Sequence, residues 1–300
     1  MSRISLADLT ADLAAVIDGH YGIDHVPDKA WRLETNRLLT ELFFKATEIL
    51  GTTCLIQCGA HEASASARFA SQGSSNRAIA IEANPYVSAL YLPRFGQASR
   101  VKYITAAIGA QAGFASLFLP GRTVNSKFSR KAGLRKRRAS ASTVALAQDE
   151  VETVVTTVDA VVQEFCGAEA ELAVWLDVEG ATDSALGGMS GIFTESRVAV
   201  VFVELEALPF WENGPAAEDI AQLLHQYGMT PIAIDAQGYP GQFNAVFVRG
   251  AEVSRACDLA EDYWSAIRSL PKSSAFNELR RRVLSKALAP WTWASRRWRR

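Results

Sequence analysis

Apolar residues change their spacing part-way along this chain. Near the N-terminus, Leu6, Leu9 and Leu13 recur at intervals of three or four residues, and the apolar positions within residues 38–49 do the same. This spacing places apolar side chains on one face of a helix. The pattern therefore predicts a helical N-terminal extension over residues 1–50.

Beyond this extension, short apolar runs alternate with helical stretches. Predicted strands cover TCLIQC (53–58), AIAIEA (78–83), VKYITAAI (101–108), LAVWLDV (172–178), VAVVFVE (198–204), TPIAID (230–235) and FNAVFVR (243–249). Predicted helices cover 63–72, 86–95, 157–166, 182–193 and 216–227. The first five strands are almost continuously apolar, which is typical of parallel strands covered by helices on both faces. The alternation predicts one doubly wound α/β sheet within residues 51–250.

The last two predicted strands are connected differently from the others. Only AQGYPGQ (236–242) separates them, and no crossover helix fits in seven residues. Strands joined by so short a segment are antiparallel neighbours. A parallel sheet that ends in an antiparallel hairpin resembles the sheet of class I methyltransferases that use S-adenosylmethionine (AdoMet), in which the seventh strand inserts antiparallel.

The composition supports a folded core and excludes some protein classes. Hydrophobic residues make up 49% of the 300 residues and charged residues 21%, which excludes a disordered chain. The four cysteines form no C-x-x-C pair, so free thiols in a reducing compartment are favoured over a metal or redox site. Asp8, Asp12 and Asp18 interrupt any export signal, and no apolar run approaches the length of a membrane span. These features predict a soluble, cytoplasmic protein.

A turn of small residues and an acid follow the first two predicted strands. In LIQCGAHEASASARF (55–69), Gly59 permits close backbone approach to a ligand, and the next helix offers free N–H groups. The second strand ends at IEANP (81–85), where an acid such as Glu82 binds adenosine ribose hydroxyls in doubly wound folds. The alternative is a purely structural turn, which any α/β protein needs at this place.

Carboxylates also gather at the ends of the fourth and fifth predicted strands. Asp177 and Glu179 are two residues apart in VWLDVEGATDSAL (174–186), and Glu204 and Glu206 end the next strand. An unpaired buried carboxylate is strongly disfavoured, and ligands of open α/β sheets bind at this edge. The sequence therefore indicates a functional site here, with helix capping by one of the acids as the alternative.

Six segments, taken in chain order, resemble the FkbM family of methyltransferases. They are LIQCGAHEASASARF, IEANP, AAIGAQAGFASLFLP (106–120), TTVDAVV (156–162), WLDVEGATDSALGGM (175–189) and VVFVELE (200–206). The family shows, in the same order, a D/Q-x-G-A-N/H turn, an F/I-E-x-N-P strand end, an A-I/V-G-x-x-x-G strand, a T-L-D helix start and a K-x-D-V-E-G strand end. The resemblance covers about residues 50–250. It implies a Rossmann-like class I fold and AdoMet-dependent O-methylation of a hydroxyl on a saccharide, glycan or secondary metabolite.

Four positions depart from the family pattern. Gln57 stands in place of the usual turn acid and Ala63 in place of the second glycine, while Trp175 replaces a lysine and Val158 a leucine. The Gln57 amide can hydrogen-bond the cofactor but cannot balance its positive charge. AdoMet binding stays the prediction, and a catalytically silent AdoMet-binding or scaffold protein is the alternative.

The resemblance assigns roles to individual residues. The implied cofactor-binding residues are Gln57, Gly59, Ala60, His61, Glu82, Ala83, Ala106, Ala107 and Asp177. Gly59 and Ala60 would face the methionine part, Glu82 the ribose, and Ala106–Ala107 the adenine edge. Asp177 or Glu179 would remove the acceptor proton, with His61 as a rival base. A divalent metal held by Asp177, Glu179 and Glu204 is left open.

Two basic segments carry the hypothesis about partners. Residues 127–138 contain seven Lys or Arg and no acid, within a predicted insertion over 121–150 at the ligand-binding edge. This segment is either a solvated loop or an electrostatic trap for an anionic saccharide. Residues 251–300 predict a helix followed by a basic tail with Trp291, Trp293 and Trp298.

The tail has three interpretations. It is a disordered extension, a nucleic-acid-binding arm, or a peripheral contact with the anionic inner face of a membrane, because indoles favour the lipid interface and arginines favour anionic headgroups. A nucleic-acid substrate is disfavoured, since no D/N-P-P-Y/F follows the fourth strand.

Overall fold

The fold is given by a computed structural model that describes residues 4–22, 26–96, 99–121, 127–128, 131–138, 148–208 and 210–271. The chain begins with two helices, α1 (Leu6–Tyr21) and α2 (Lys29–Ile49). Ser5 and Asp8 form a capping box at the start of α1, and Asp28 accepts the first free N–H groups of α2. The predicted N-terminal helices are therefore confirmed.

Strands of the described residues form two sheets. In chain order they are β1 (Cys54–Cys58), β2 (Arg77–Glu82), β3 (Val101–Thr105), β4 (Ala107–Ile108), β5 (Gly113–Pro120), β6 (Gln148–Thr156), β7 (Leu172–Leu176), β8 (Val198–Glu206), β9 (Met229–Ile234) and β10 (Gln242–Arg249). The main sheet has seven strands in the order β3-β2-β1-β7-β8-β10-β9. Its strands are parallel except β10, which is antiparallel to both neighbours. The predicted class I methyltransferase sheet, with its antiparallel last strand, is confirmed.

Helices cover both faces of this sheet, and one predicted helix is divided. The further helices are α3 (Ser64–Gln72), α4 (Pro85–Tyr91), α5 (Val158–Phe165), α6 (Thr182–Gly187), α7 (Ser190–Thr194), α8 (Ala217–Gln226) and α9 (Val253–Ser269). The single helix predicted over 182–193 is wrong. Helix α6 ends at Gly187, and Gly188 follows it. A side chain at Gly188 would collide with a backbone carbonyl, and glycine is unfavourable inside helices. Asp159 then caps α7 by accepting two of its N–H groups at 2.8 and 3.0 Å.

The second sheet corrects two further expectations. The strand predicted over 101–108 is wrong in part, because β4 leaves the main sheet and pairs in a three-stranded sheet with the order β4-β6-β5. Strands β5 and β6 are absent from the prediction. One of their faces is open, with Phe114 72% and Val154 50% exposed, so they lack the continuous apolar run of doubly covered strands. The predicted insertion over 121–150 ends too late, since β6 begins at Gln148.

Helix α2 and the main sheet share one aromatic cluster. The rings of Trp175 and Phe202, on β7 and β8, stack with centroids 3.8 Å apart. Phe43 of α2 meets both rings edge-on at 5.3 and 5.8 Å, and Phe44 packs beside them. Such edge-to-face contacts add to the stabilisation from burial alone. The cluster fixes α2 across the sheet, with its N-terminal half extending toward the carboxyl ends of the strands.

Two further expectations concern the state of the cysteines and the presence of a membrane-spanning helix. All four cysteines are free, as predicted, and Cys54 and Cys58 are buried on β1. The Cys54 thiol lies 3.0 Å from that of Cys166, at the end of β1 away from the small-residue turn. Throughout the described ranges, no helix is both long and apolar enough to cross a bilayer.

Candidate active site

The turn after β1 lies directly against the end of β7. Gly59 has a left-handed φ of +78°, and a Cβ there would collide with the Asp177 backbone carbonyl. The Asp177 N–H in turn donates to the Cys58 carbonyl at 3.0 Å. Only glycine combines this backbone conformation with so close an approach. Gly59 therefore sets the spacing between the predicted cofactor turn and the predicted catalytic acid.

Gln57 holds the turn together from beneath. Its Oε1 accepts from the backbone N–H of Ser66 at 2.9 Å and from the Ser66 hydroxyl at 2.8 Å. Its Nε2 donates to the Ala60 carbonyl at 3.4 Å. Helix α3 has no side-chain cap of its own, so Gln57 supplies one from the neighbouring strand. A carboxylate could not make the donated bond, which gives the amide at this position a structural use.

His61 is engaged at the outer side of the turn. Its backbone is left-handed, with a φ of 46°, and so is that of Ala63, the position where the family pattern has a second glycine. The His61 ring nitrogen Nδ1 makes a hydrogen bond with the Glu62 carboxylate, and the ring centroid lies 5.2 Å from that of Tyr91. His61 borders the site, but its ring nitrogen Nδ1 is already paired with a carboxylate.

Glu82 presents a fixed, buried carboxylate at the end of β2. Its two oxygens accept the backbone N–H groups of His61 and Asn84, each at 2.8 Å. Burial raises the pKa of Glu82, and these two hydrogen bonds oppose that rise. The carboxylate is thus oriented by the backbone before any ligand arrives.

Four acids converge at the ends of β7 and β8. Pairing of Leu176 with Val203 brings the following residues, Asp177 and Glu204, side by side. Burial, followed by the negative charges of neighbouring acids, raises the pKa of Glu204 well above its ordinary value. A side-chain hydrogen bond with Asp177 acts in the same direction.

The other two acids differ in their surroundings. Burial and the charge of Asp177 raise the pKa of Glu179 to about 8. Burial also raises the pKa of Glu206, against a backbone hydrogen bond from Phe210. Asp177 is thus flanked by carboxyl groups that hold protons more tightly than ordinary glutamates do.

These strand ends open into a cavity of about 590 Å³. The predicted site residues that border it are Gln57, Gly59, Ala60, His61, Glu82, Ala83, Ala106, Ala107, Asp177 and Glu179, together with Glu204. The structure brings all of them together, and their individual roles stay predictions. A cavity of this size at the carboxyl edge of a parallel sheet is the usual place for a cofactor and its substrate.

The matching family model decides the family. The model described as "Methyltransferase FkbM domain" matches residues 57–230, which is more than half of the chain. The chain belongs to the FkbM methyltransferase family. The expected family is therefore confirmed, and with it AdoMet-dependent methyl transfer as the class of activity.

Solved structures with a similar chain course are also methyltransferases. One is magnesium protoporphyrin IX methyltransferase (ChlM) from Synechocystis PCC 6803 with bound SAM, 9% identical with a TM-score of 0.39, covering 80% of this chain and 90% of that one. Another is a putative methyltransferase from Thermobifida fusca YX, 11% identical with a TM-score of 0.37, covering 83% and 96%. No curated protein sequence matches this FkbM methyltransferase.

Sequence reasoning missed the part of the cavity that lies beyond Asp177. Helix α2 contributes Asn36, Thr40 and Phe44, and the segment around β10 contributes Gln237 and Asn244. Asn36, Thr40 and Phe44 are spaced four apart and so share one face of α2, which the sequence spacing does indicate. Asn244, in an apolar strand, was a second signal in the sequence.

The basic segment of this FkbM methyltransferase is anchored where it is described. Residues 131–134 border the cavity. Arg135 makes two hydrogen bonds of 2.8 Å to the Asp183 carboxylate, and Arg137 lies over the Trp211 ring at 5.3 Å. Such a bidentate pair fixes a side chain geometrically. A fully solvated loop is therefore wrong for residues 131–138, whereas the tail at 280–300 lies outside the described residues.

The hypothesis of a divalent metal finds no support in the geometry. Among the described residues, no group of three or more His, Cys, Asp or Glu side chains is arranged to hold a metal ion. Asp177, Glu179 and Glu204 therefore do not form the metal site that the sequence left open.

Proposed function

We propose that this FkbM methyltransferase methylates a hydroxyl oxygen of a saccharide, glycan or secondary metabolite. The observation that carries the proposal is the position of Asp177. In the sheet, β7 lies between the strands whose ends form the predicted cofactor side, β1 and β2, and the strands β8 and β10. This position supports Asp177 as the group beside which a methyl donor and an acceptor hydroxyl would meet.

The residues on the cofactor side fit AdoMet. The Glu82 oxygens each keep a lone pair beyond the one used by a backbone N–H, which suits the two hydroxyls of a ribose. Gly59 and Ala60 leave the backbone open beside the methionine part, and the small side chains of Ala106 and Ala107 leave room for adenine. When bound, AdoMet supplies an electrophilic methyl group on a sulfonium centre.

Asp177 is better suited than its neighbours to take the acceptor proton. Burial and the charge of Asp177 raise the pKa of Glu179 to about 8, so Glu179 holds a proton more tightly than an ordinary glutamate does. Burial and the charges of Asp177 and Glu179 likewise raise the pKa of Glu204 well above its ordinary value. Asp177 can accept a hydrogen bond from the substrate hydroxyl on one oxygen while Glu204 orients the other. Removing that proton makes the oxygen nucleophilic at the moment of transfer.

The function can be tested with an isotopic label. Purified protein, AdoMet carrying a ¹³C-methyl group and a metabolite extract from cells that lack the gene are incubated together. We expect one new carbon resonance in the region of methyl ethers. A labelled methylamine or thioether would contradict O-methylation. Binding of AdoMet by calorimetry without any labelled product would favour the scaffold alternative.

The basic segments are proposed to recruit the acceptor. Lys131 borders the cavity, and the segment 127–138 would attract an anionic saccharide toward it. The tail at 280–300 would place the protein at the anionic inner face of a membrane, where lipid-linked saccharides are accessible. Both roles rest on charge and composition.

A further inference from the structure

A row of polar side chains continues from Asp177 along the carboxyl edge of the sheet. On β8, Glu204 pairs with Asn244 of the antiparallel strand β10. The backbone N–H of Asp235, which follows β9, donates to the Asn244 carbonyl at 3.0 Å. From above, Asn36 of α2 donates its side-chain NH₂ to Asp235 at 2.8 Å. The row therefore joins the catalytic strands to the N-terminal helix.

Asp235 is fully buried and collects four N–H donors. Its Oδ1 accepts from the backbone N–H groups of Asn244 at 2.8 Å and Gln237 at 3.2 Å. Its Oδ2 accepts from the side-chain amides of Asn36 at 2.8 Å and Asn244 at 2.9 Å. A carboxylate accepts only, so this arrangement satisfies all four donors together.

This pattern fixes which end of each amide faces the cavity. Because Asn36 and Asn244 turn their NH₂ groups to Asp235, their carbonyl oxygens are turned away from it. The second N–H of Asn244 donates to Gln237 Oε1 at 2.8 Å, so the NH₂ group of Gln237 is the free end. Asn36, Gln237 and Asn244 all border the cavity. Its far wall thus offers two acceptors and one donor, and the Asp177 carboxylate offers a further acceptor.

The floor next to this wall is aromatic. Trp175 precedes Asp177 by two residues and also borders the cavity. Its ring stacks on that of Phe202, with centroids 3.8 Å apart. A molecule with an apolar face and a rim of hydroxyls matches both surfaces, since each hydroxyl can donate and accept. A phenol or simple alcohol brings one hydroxyl and cannot pair with the whole wall, which is most costly at the buried amide of Asn244.

We infer that Asn36, Gln237 and Asn244 form an acceptor subsite that selects a ring with at least two neighbouring hydroxyls. Asp235 is its positioning residue. All of these residues lie outside the segment matched by the family model, 57–230. The inference rests on the proposed O-methylation, because one selected hydroxyl is the one that Asp177 deprotonates.

Saturation-transfer NMR on the full-length protein saturated with AdoMet tests the subsite. The probes are the methyl pyranosides of glucose, galactose and mannose, with cyclohexanol and phenol as rings that carry one hydroxyl. We expect transfer to at least one pyranoside, and at least fivefold weaker transfer in Asn36→Leu and Asn244→Leu. Gln222→Leu removes an exposed helix amide away from the cavity and should leave the signal unchanged.

Selectivity separates positioning from folding. In Asp235→Asn the ratio of pyranoside to cyclohexanol transfer should fall at least threefold, whereas loss of folded protein would lower both signals equally. AdoMet affinity, measured by calorimetry, should stay unchanged in Asn36→Leu. Three results would overturn the subsite alone if the protein still binds AdoMet. They are equal transfer to cyclohexanol and the pyranosides, transfer to no pyranoside, and full pyranoside transfer in Asn36→Leu. Failure to bind AdoMet would overturn the proposed function and the subsite with it.

Discussion

At the scale of single residues, the site is governed by how buried carboxyl groups share charge. Glu82, Asp177, Glu179 and Glu204 all border one cavity, yet their partners differ. Glu82 accepts hydrogen bonds from two backbone N–H groups. Glu204 makes a hydrogen bond with Asp177, and Glu179 lies near the positive charge of Arg137. Groups of the same type therefore receive different chemical roles from their surroundings.

Replacing Glu82 tests the cofactor side. Glu82→Ala removes the carboxylate that would bind both ribose hydroxyls. Hydrogen bonds to a charged group contribute roughly 1.5–3 kcal/mol each, so AdoMet affinity should fall at least about tenfold. Calorimetric titration measures the loss, and circular dichroism checks the fold. Unchanged affinity in a folded variant would move the cofactor to another place.

Replacing Asp177 tests the base. Asp177→Asn keeps the shape but removes the negative charge, so turnover should fall about 100-fold or more while AdoMet still binds. Glu206→Gln is the matched control, because Glu206 ends the neighbouring strand without bordering the main cavity. Near-normal turnover of Asp177→Asn would transfer the role to Glu179 or His61.

Titration of Glu179 predicts a change of stability with pH. The pKa of about 8 lies above the ordinary glutamate value of 4.5, so the folded state binds the proton more tightly than the unfolded state. Stability therefore declines as the pH rises from about 4.5 to about 8. The melting temperature of Glu179→Gln should equal that of the wild type at pH 4.5 and exceed it at pH 8.5. A constant difference across this range would show that Glu179 is not titrating there.

At the scale of elements, the turn after β1 depends on one glycine. Gly59→Ala combines a left-handed φ with a collision against the Asp177 carbonyl, whereas Gly51→Ala has a similar φ of +71° and open space. The strain of a left-handed alanine costs about 1–2 kcal/mol in either variant. We expect Gly59→Ala alone to lose AdoMet binding and to melt several degrees below Gly51→Ala. Equal melting temperatures and intact binding would mean that the two strand ends can separate freely.

Whether a strand or helix could be predicted from the sequence depended on how its side chains are buried. The parallel strands of the main sheet were visible because both faces are covered, which leaves unbroken apolar runs such as residues 198–203. Strands β5 and β6 were not, since one face stays open. The division of the helix predicted over 182–193 depends on backbone contact at Gly188, which no local pattern encodes.

The residues of the candidate site also differ in how far the sequence could predict them. The sequence predicted the strand-end residues that border the cavity because doubly wound folds bind ligands at those positions, and their roles stay predictions. Asn36 and Gln237 reach the cavity only through the packing of α2 and the connection before β10. The four-residue spacing on α2 shows which residues share a helix face, but it does not show which distant segment that face contacts.

At the scale of the whole molecule, the charge pattern predicts an interaction of the C-terminal tail. Residues 280–300 contain eight Lys or Arg and three Trp without an acid. Each basic residue near an anionic surface contributes about 1 kcal/mol. The protein should co-sediment with anionic vesicles at low salt, less so at physiological salt, where the screening length is about 8 Å.

A truncation provides the control for the tail. Removing residues 288–300 should abolish co-sedimentation while turnover on a water-soluble acceptor stays nearly unchanged. Neutral vesicles should retain little of either protein. An intact protein that stays in the supernatant with anionic vesicles at low salt would exclude the membrane role.

The position of β10 has a consequence for synthesis on the ribosome. This strand lies inside the sheet, yet it is made after both of its neighbours, β8 and β9. Until residue 249 has left the exit tunnel, the apolar strand β8 has an open edge, and β9 has no adjacent strand to pair with. An uncovered strand of this kind is a template for pairing with another nascent chain. Translation that stops early, before β10, should therefore yield aggregates and not a smaller working enzyme.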